Sequence, residues 1–188
     1  MRRVERLLHG TNRRALRLLR ERGQLQTRSP MELTGEIERE FQLPAGAVWE
    51  HSAFEFSRAR QADPHIYLTS DPRVAASHAA DGSEMTCDAL RAVWMITRPD
   101  GEFPSDRNRA FVRFRRDWQD RNDHQGVVLS FDVPHSAIER SPTYTRHLDS
   151  GRGDLLTVRE WLDLCRPLNT LMLASSLPED WLAGAAAV

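Results

Sequence analysis

The chain has no lysine: all 26 of its basic residues are arginine. A genome-wide compositional bias accounts for this plainly; the alternative is that guanidinium groups suit phosphate and carboxylate recognition. No charge of either sign prevails. Arginines nearly balance 27 carboxylates for a net charge of −1, so no global field draws the molecule onto nucleic acid or membrane. Cysteine is scarce. Cys87 and Cys165 show no metal-ligand spacing and allow at most one bridge, so no metal is expected and a reducing cytoplasm is the simplest home. Long apolar runs are missing too. "MRRVERLLHGTNRR" is too short in apolar residues for a signal peptide and no stretch is long enough to span a bilayer, so a cytoplasmic location without membrane contact is expected.

What remains is the composition of an ordinary globular protein, 40% hydrophobic and 28% charged, long enough for one domain over residues 1–188. Val4 to Leu8 reads as a short strand with His9 at its end. Asn12, or Thr11, then caps a helix whose apolar positions are Ala15, Leu16 and Leu19 and whose stop is Gly23. "MELTGEIEREFQLPAG" looks helical, and "VWEHSAFEFSRARQADP" looks like loop or broken structure. His65 to Thr69 is a strand, and Ser70-Asp71-Pro72 opens an alanine-rich helix.

"DALRAVWMITRPDGEF" fits helix or strand. "SDRNRAFVRFRRDWQDRND" places Phe111, Phe114 and Trp118 on one helical face, with Ser105 or Asp106 as its cap. "GVVLSFDVP" is the clearest strand, β-branched and closed by proline. "LLTVREWLDLC" reads as helix. "NTLMLASSLPEDWL" reads as a strand with a Leu-Pro turn into a last short helix, and the tail "AGAAAV" is expected to fray.

"LLHGT" followed by a helix, and "HIYLTSDPRVAASHAA", whose Tyr67 lies 58 positions after His9, together resemble the ADP-ribosyltransferase family. The tyrosine segment is most similar to bacterial rifamycin ADP-ribosyltransferases, and the histidine segment equally to poly-ADP-ribose polymerases. The resemblance implies an α+β fold with a split mixed/antiparallel sheet core and surrounding helices. It also implies NAD as co-substrate, broken at its nicotinamide–ribose bond. In that setting His9 donates to a ribose hydroxyl and fixes the dinucleotide. Gly10 offers its backbone N–H and C=O to the carboxamide, an approach that a Cβ would obstruct. Tyr67 stacks on the nicotinamide ring. His78, on the following helix, stands where many relatives carry a second aromatic, and Thr11 lines the pocket or caps the helix.

The family's third residue is a carboxylate that stabilises the developing oxocarbenium ion. Several positions compete for it. Asp106 or Glu102 falls near the acid of the rifamycin enzymes. If "HQGVVLSFDV" is the late strand, Gln125 stands in the place and Glu139 lies just beyond. If "NTLMLASSLPEDWL" is the late strand, Thr170 occupies it, and Glu139, Asp106 or Glu160 must reach in. Glu139 is taken as the catalytic acid, with Thr170 among the dinucleotide contacts.

Arg107 to Arg121 holds six arginines against Asp117 and Asp120. They form a solvated helix whose aromatic stripe packs inward, or a groove for a nucleic-acid target. The resemblance accordingly implies a mono-ADP-ribosyltransferase acting on nucleic acid or protein, as a bacterial toxin or defence effector with an antitoxin or immunity partner. Three other functions fit the same segments: a small-molecule antibiotic modifier, an RNA 2′-phosphotransferase (which shares "HGT" and "GVVL"), and a degenerate module that binds NAD or ADP-ribose.

Overall fold

Gly126–Pro134 alternates buried Val127, Leu129, Phe131 and Val133 with half-buried residues between, the period-two pattern of a strand with one buried face. In the computed structural model this strand, β4, is the centre of a three-stranded antiparallel sheet. The structure describes residues 3–26, 29–59, 66–80, 84–98, 103–105, 107–141, 144, 158–165, 171–172 and 176–188. On one side of β4 lies β1 (Val4–Asn12), in register from Val4 opposite Pro134 to Asn12 opposite Gly126. On the other lies an edge strand, β7 (Leu182–Ala187).

Two short antiparallel pairs accompany this sheet. β2 (Gln24–Gln26) pairs with β6 (Ser176–Pro178) through buried Leu25 and Leu177. β3 (Tyr67–Leu68) pairs with β5 (Leu171–Met172). The fold is thus α+β with antiparallel pairing throughout the described strands, the antiparallel alternative of the mixed/antiparallel core expected from sequence. The expected Leu-Pro strand is divided between β5 and β6, a 3-10 turn at Glu179–Trp181 stands where the last short helix was expected, and "AGAAAV" is β7 rather than a frayed end.

Helix α1 (Arg13–Arg22) starts at Asn12, whose Oδ1 accepts from Ala15 N at 2.9 Å, and ends at Gly23 in the left-handed conformation at φ 69°. It buries Leu19 and packs Ala15 and Leu16 onto the sheet. α4 (Pro72–Ala80) crosses β1 and β4 where each carries a glycine. A Cβ on Gly10 would overlap the carbonyl oxygen of Ala75 and stand 2.8 Å from Ala79 N. A Cβ on Gly126 would likewise run into the Ala79 carbonyl group. Two strands and a helix backbone meet there with no room for side chains.

A second core is helical. α2 (Pro30–Glu40), α5 (Glu84–Thr97) and α6 (Arg109–Arg121), with α3 (Glu55–Ala59) against them, enclose Leu33, Ile37, Phe54, Leu90, Trp94, Phe111 and Trp118. "DALRAVWMIT" is therefore helix. The aromatic stripe of α6 faces inward, with Trp94 5.6 Å from Phe111 and 5.5 Å from Phe114 between ring centres. Its cap is Asn108, whose Oδ1 accepts from Ala110 N and Phe111 N; Ser105 lies further upstream and Asp106 is outside the described residues. Asn108 wins because its side chain, at the residue before the first helical turn, reaches two N–H groups that the helix leaves without partners.

Candidate functional site

β1 runs on through His9, Gly10 and Thr11, so His9 lies inside a strand and not at its end. Its neighbour away from β4 is the β3 segment, and the two touch at one bridge. Leu8 N donates to Thr69 O at 2.8 Å and Thr69 N to Leu8 O at 2.9 Å. Strand alternation turns the His9 backbone toward β4 and that of Gly10 back toward β3. The other ladder agrees: Val188 N donates to Gly126 O, so Val128, opposite Gly10, also faces β7.

One step beyond the Leu8–Thr69 bridge, the antiparallel register sets Gly10 against Tyr67. There the ladder does not continue. The Tyr67 carbonyl oxygen accepts instead from His9 Nδ1, at 2.8 Å. No second β1–β3 backbone pair forms at Gly10, where the imidazole reaches across to Tyr67 and the Gly10 N–H and C=O face the β3 side by alternation.

Because a carbonyl can only accept, Nδ1 carries the proton. Burial lowers the His9 pKa from its ordinary 6.5, the Tyr67 carbonyl opposes that shift, and the charge of a protonated His78 adds to it. The ring is neutral near pH 7, and its Nε2 presents a lone pair. With Nδ1 donating to Tyr67 O, Nε2 of the neutral ring can accept but not donate, whereas the resemblance implied a donor.

Tyr67 is half-buried and His78 exposed on α4, with its Cβ 2.8 Å from the point where a Cβ on Gly10 would stand. Thr11 is buried at 7% exposure, on the same strand face as Leu7 and His9, and the helix cap is Asn12. His9, Gly10, Tyr67 and His78 are therefore neighbours. Gly10 needs no ligand to explain it: the space a Cβ would fill is taken by α4, and only its outward-facing peptide groups are left for binding.

The acids are placed elsewhere. Glu139 is exposed at the end of α7 (His135–Glu139), which follows the end of β4 that pairs with Val4, about 17 Å along β1 from His9. The same end holds α8 (Val158–Cys165): Arg159 Nη1 lies 3.0 Å from Glu5 Oε2, with His135 Nε2 3.1 Å from Oε1 of that carboxylate. Glu160, beside Arg159 in the chain, is exposed. Among the described residues no hydrogen bond or ion pair joins Glu139 or Glu160 to His9 or Gly10. Gln125 precedes β4 and turns its amide toward Asp120, 3.3 Å from Oδ1. Asp106, Glu102 and Thr170 lie outside the described residues; Leu171, next to Thr170 in the chain, pairs with Leu68 of β3.

Comparison with known protein families, with curated proteins and with solved structures finds no match. Geometry alone therefore describes the site. No group of three or more His, Cys, Asp or Glu among the described residues could hold a metal, and no described helix is long and apolar enough to cross a membrane. Cys87 is buried and in no disulfide, and Arg115 Nη1 donates to its sulfur at 3.2 Å. Arg115 is thus turned inward, and Arg121 donates to Asp117 O, so the arginines of α6 do not form one uniform outward face.

A feature the sequence did not disclose is a groove of about 490 Å³ between α1 and β7, lined by Arg13, Leu16, Arg17, Arg20, Val127 and Ala185 to Ala187 among others. Its only sequence signal was the alanine tail, whose pairing with β4 is set by contacts some sixty positions apart.

Proposed function

We propose that the chain is an NAD-dependent ADP-ribosyltransferase-like enzyme whose dinucleotide sits between β1 and β3 at Gly10. The observation that supports this is the His9 Nδ1–Tyr67 O bond, which links the strands where the Gly10 peptide groups face the β3 side without a backbone pair. Gly10 offers one donor and one acceptor, the complement of a carboxamide. His9 accepts a ribose hydroxyl at Nε2, while its bond to Tyr67 holds the ring plane. Tyr67 and His78 supply ring faces to sandwich the nicotinamide. NAD supplies the ADP-ribosyl group and releases nicotinamide; the acceptor is a nucleic acid or a protein, in keeping with a toxin or defence effector controlled by an antitoxin or immunity partner.

A second reading has its own support. Glu139 and Glu160 stand at the far end of β1, which favours a module that binds NAD or ADP-ribose without cleaving it. One experiment separates the two. NAD binding and nicotinamide release are measured for wild type, His9→Ala and Tyr67→Ala. Release that falls ~100-fold or more in both variants supports the transferase, a size suited to the loss of preorganised polar contacts. Binding without release in wild type supports the module. Neither binding nor release, with activity on 2′-phosphorylated RNA, replaces both by the phosphotransferase reading.

A further inference from the structure

The edge strand β7 is the second feature of this molecule that asks for a partner. Among the described residues no strand pairs with it on the side away from β4. Edges of this kind are normally blunted by charge, proline or a covering element. Leu182–Ala187 reads "LAGAAA" and has none of the first two. The register states which groups are left over. Val188 N donates to Gly126 O, and Val128 and Ser130 face Ala186 and Gly184 across the β4–β7 ladder. By alternation the N–H and C=O groups of Ala185 and Ala187 point outward.

Beside this edge runs the rim of α1. Arg13, Arg17 and Arg20 are exposed and border the groove with the alanines. Arg17 is occupied, 2.6 Å from Asp123 Oδ2 and 3.8 Å from Glu21 Oε1. Those are the two acids lining the groove, so Arg13 and Arg20 have no carboxylate partner among the described residues.

We propose that this groove receives an extended acidic segment of another protein, added as a strand to β7 with its carboxylates on Arg13 and Arg20. The main chain of the segment pairs with Ala185 and Ala187, and the small floor of alanine with Leu16 and Val127 accepts its apolar side chains. A second copy of this chain fits poorly. Joining β7 to β7 about a two-fold axis sets both α1 helices on one face of the continuous sheet, with two basic rims toward each other. Single-stranded nucleic acid would satisfy the arginines, yet among the described residues no aromatic lines the groove to stack a base. The inference does not depend on NAD chemistry.

The test uses the full chain and a short fluorescein-labelled peptide alternating valine with glutamate, compared with its valine–lysine counterpart. Anisotropy is expected to show binding of the glutamate peptide only. Ala187→Pro removes an outward N–H without removing a bond to β4, as edge strands tolerate. It should weaken binding at least ~10-fold, as should the paired substitution Arg13→Gln/Arg20→Gln, which alters exposed side chains alone. Amide exchange at Ala185 and Ala187 should slow in the complex. The proposal is overturned by any of four results: no binding, equal binding of the lysine peptide, displacement of the peptide by an oligothymidine, or a wild-type dimer that protects those amides without peptide.

Discussion

His9 and Tyr67, 58 positions apart, are joined by a 2.8 Å hydrogen bond from Nδ1 to a main-chain carbonyl oxygen. That bond stands where no second β1–β3 backbone pair forms, and it ties the protonation of one ring to the link between the two strands.

Acidification should therefore destabilise the fold through His9. Burial lowers its folded pKa below the ordinary 6.5, so between the two values the unfolded chain binds more protons and stability falls as pH falls. Asp88 acts in the opposite sense. Burial raises its pKa above 3.8, against the Ser57 hydrogen bond, so its contribution is present at low pH and lost as pH rises through the raised value. Urea denaturation across pH 5 to 8 isolates the first effect if wild type is compared with His9→Asn, whose amide still donates to Tyr67 O. The difference should grow as pH drops below about 6.5. Parallel curves would contradict a neutral imidazole in the folded protein.

Glycine substitutions should separate packing from freedom of the chain. Gly10→Ala and Gly126→Ala each drive a methyl into the backbone of α4, and each should cost about 1–3 kcal/mol or more. Gly184→Ala meets nothing within 4 Å and should stay within about 0.5 kcal/mol of wild type. Equilibrium unfolding of the three variants checks the contrast.

Glu38 is the buried fastening of the second core. Its Oε1 accepts from Val48 N at 2.8 Å and Trp49 N at 3.3 Å, and its Oε2 from Gly46 N at 2.9 Å. Glu38→Ala leaves those donors without their acceptor and should cost roughly 2–4 kcal/mol, while Glu38→Gln, which keeps one carbonyl oxygen, should recover part of it. Chemical denaturation with tryptophan fluorescence reads both, since Trp49 belongs to the fastened loop.

Glu139 provides the sharpest test of the acid inferred from resemblance. If nicotinamide release is found, Glu139→Gln should leave its rate unchanged within error, because the residue is exposed on α7, which follows the end of β4 paired with Val4, itself about 17 Å along β1 from His9. A loss comparable to that of His9→Ala would mean that α7 moves to His9 during the reaction.

Local chemistry was legible in the sequence wherever one segment decided the outcome. Asn12 before a 3.6-period stripe gave the start of α1, and Gly23 gave its end. The alternation of Val127, Leu129, Phe131 and Val133 gave β4, and the spacing of Phe111, Phe114 and Trp118 gave the buried face of α6. That His9 and Tyr67 lie together was implied only by the family resemblance of their two segments. Register was not legible. Whether His9 ends a strand, why residue 10 is glycine, where Glu139 stands and whether "AGAAAV" frays all depend on which backbone lies beside which. Those neighbours come from distant parts of the chain, and a period of two or 3.6 residues carries no information about them. Only the packed sheet, with α4 pressed onto its two glycines and β7 laid along β4, decides where an edge is left open.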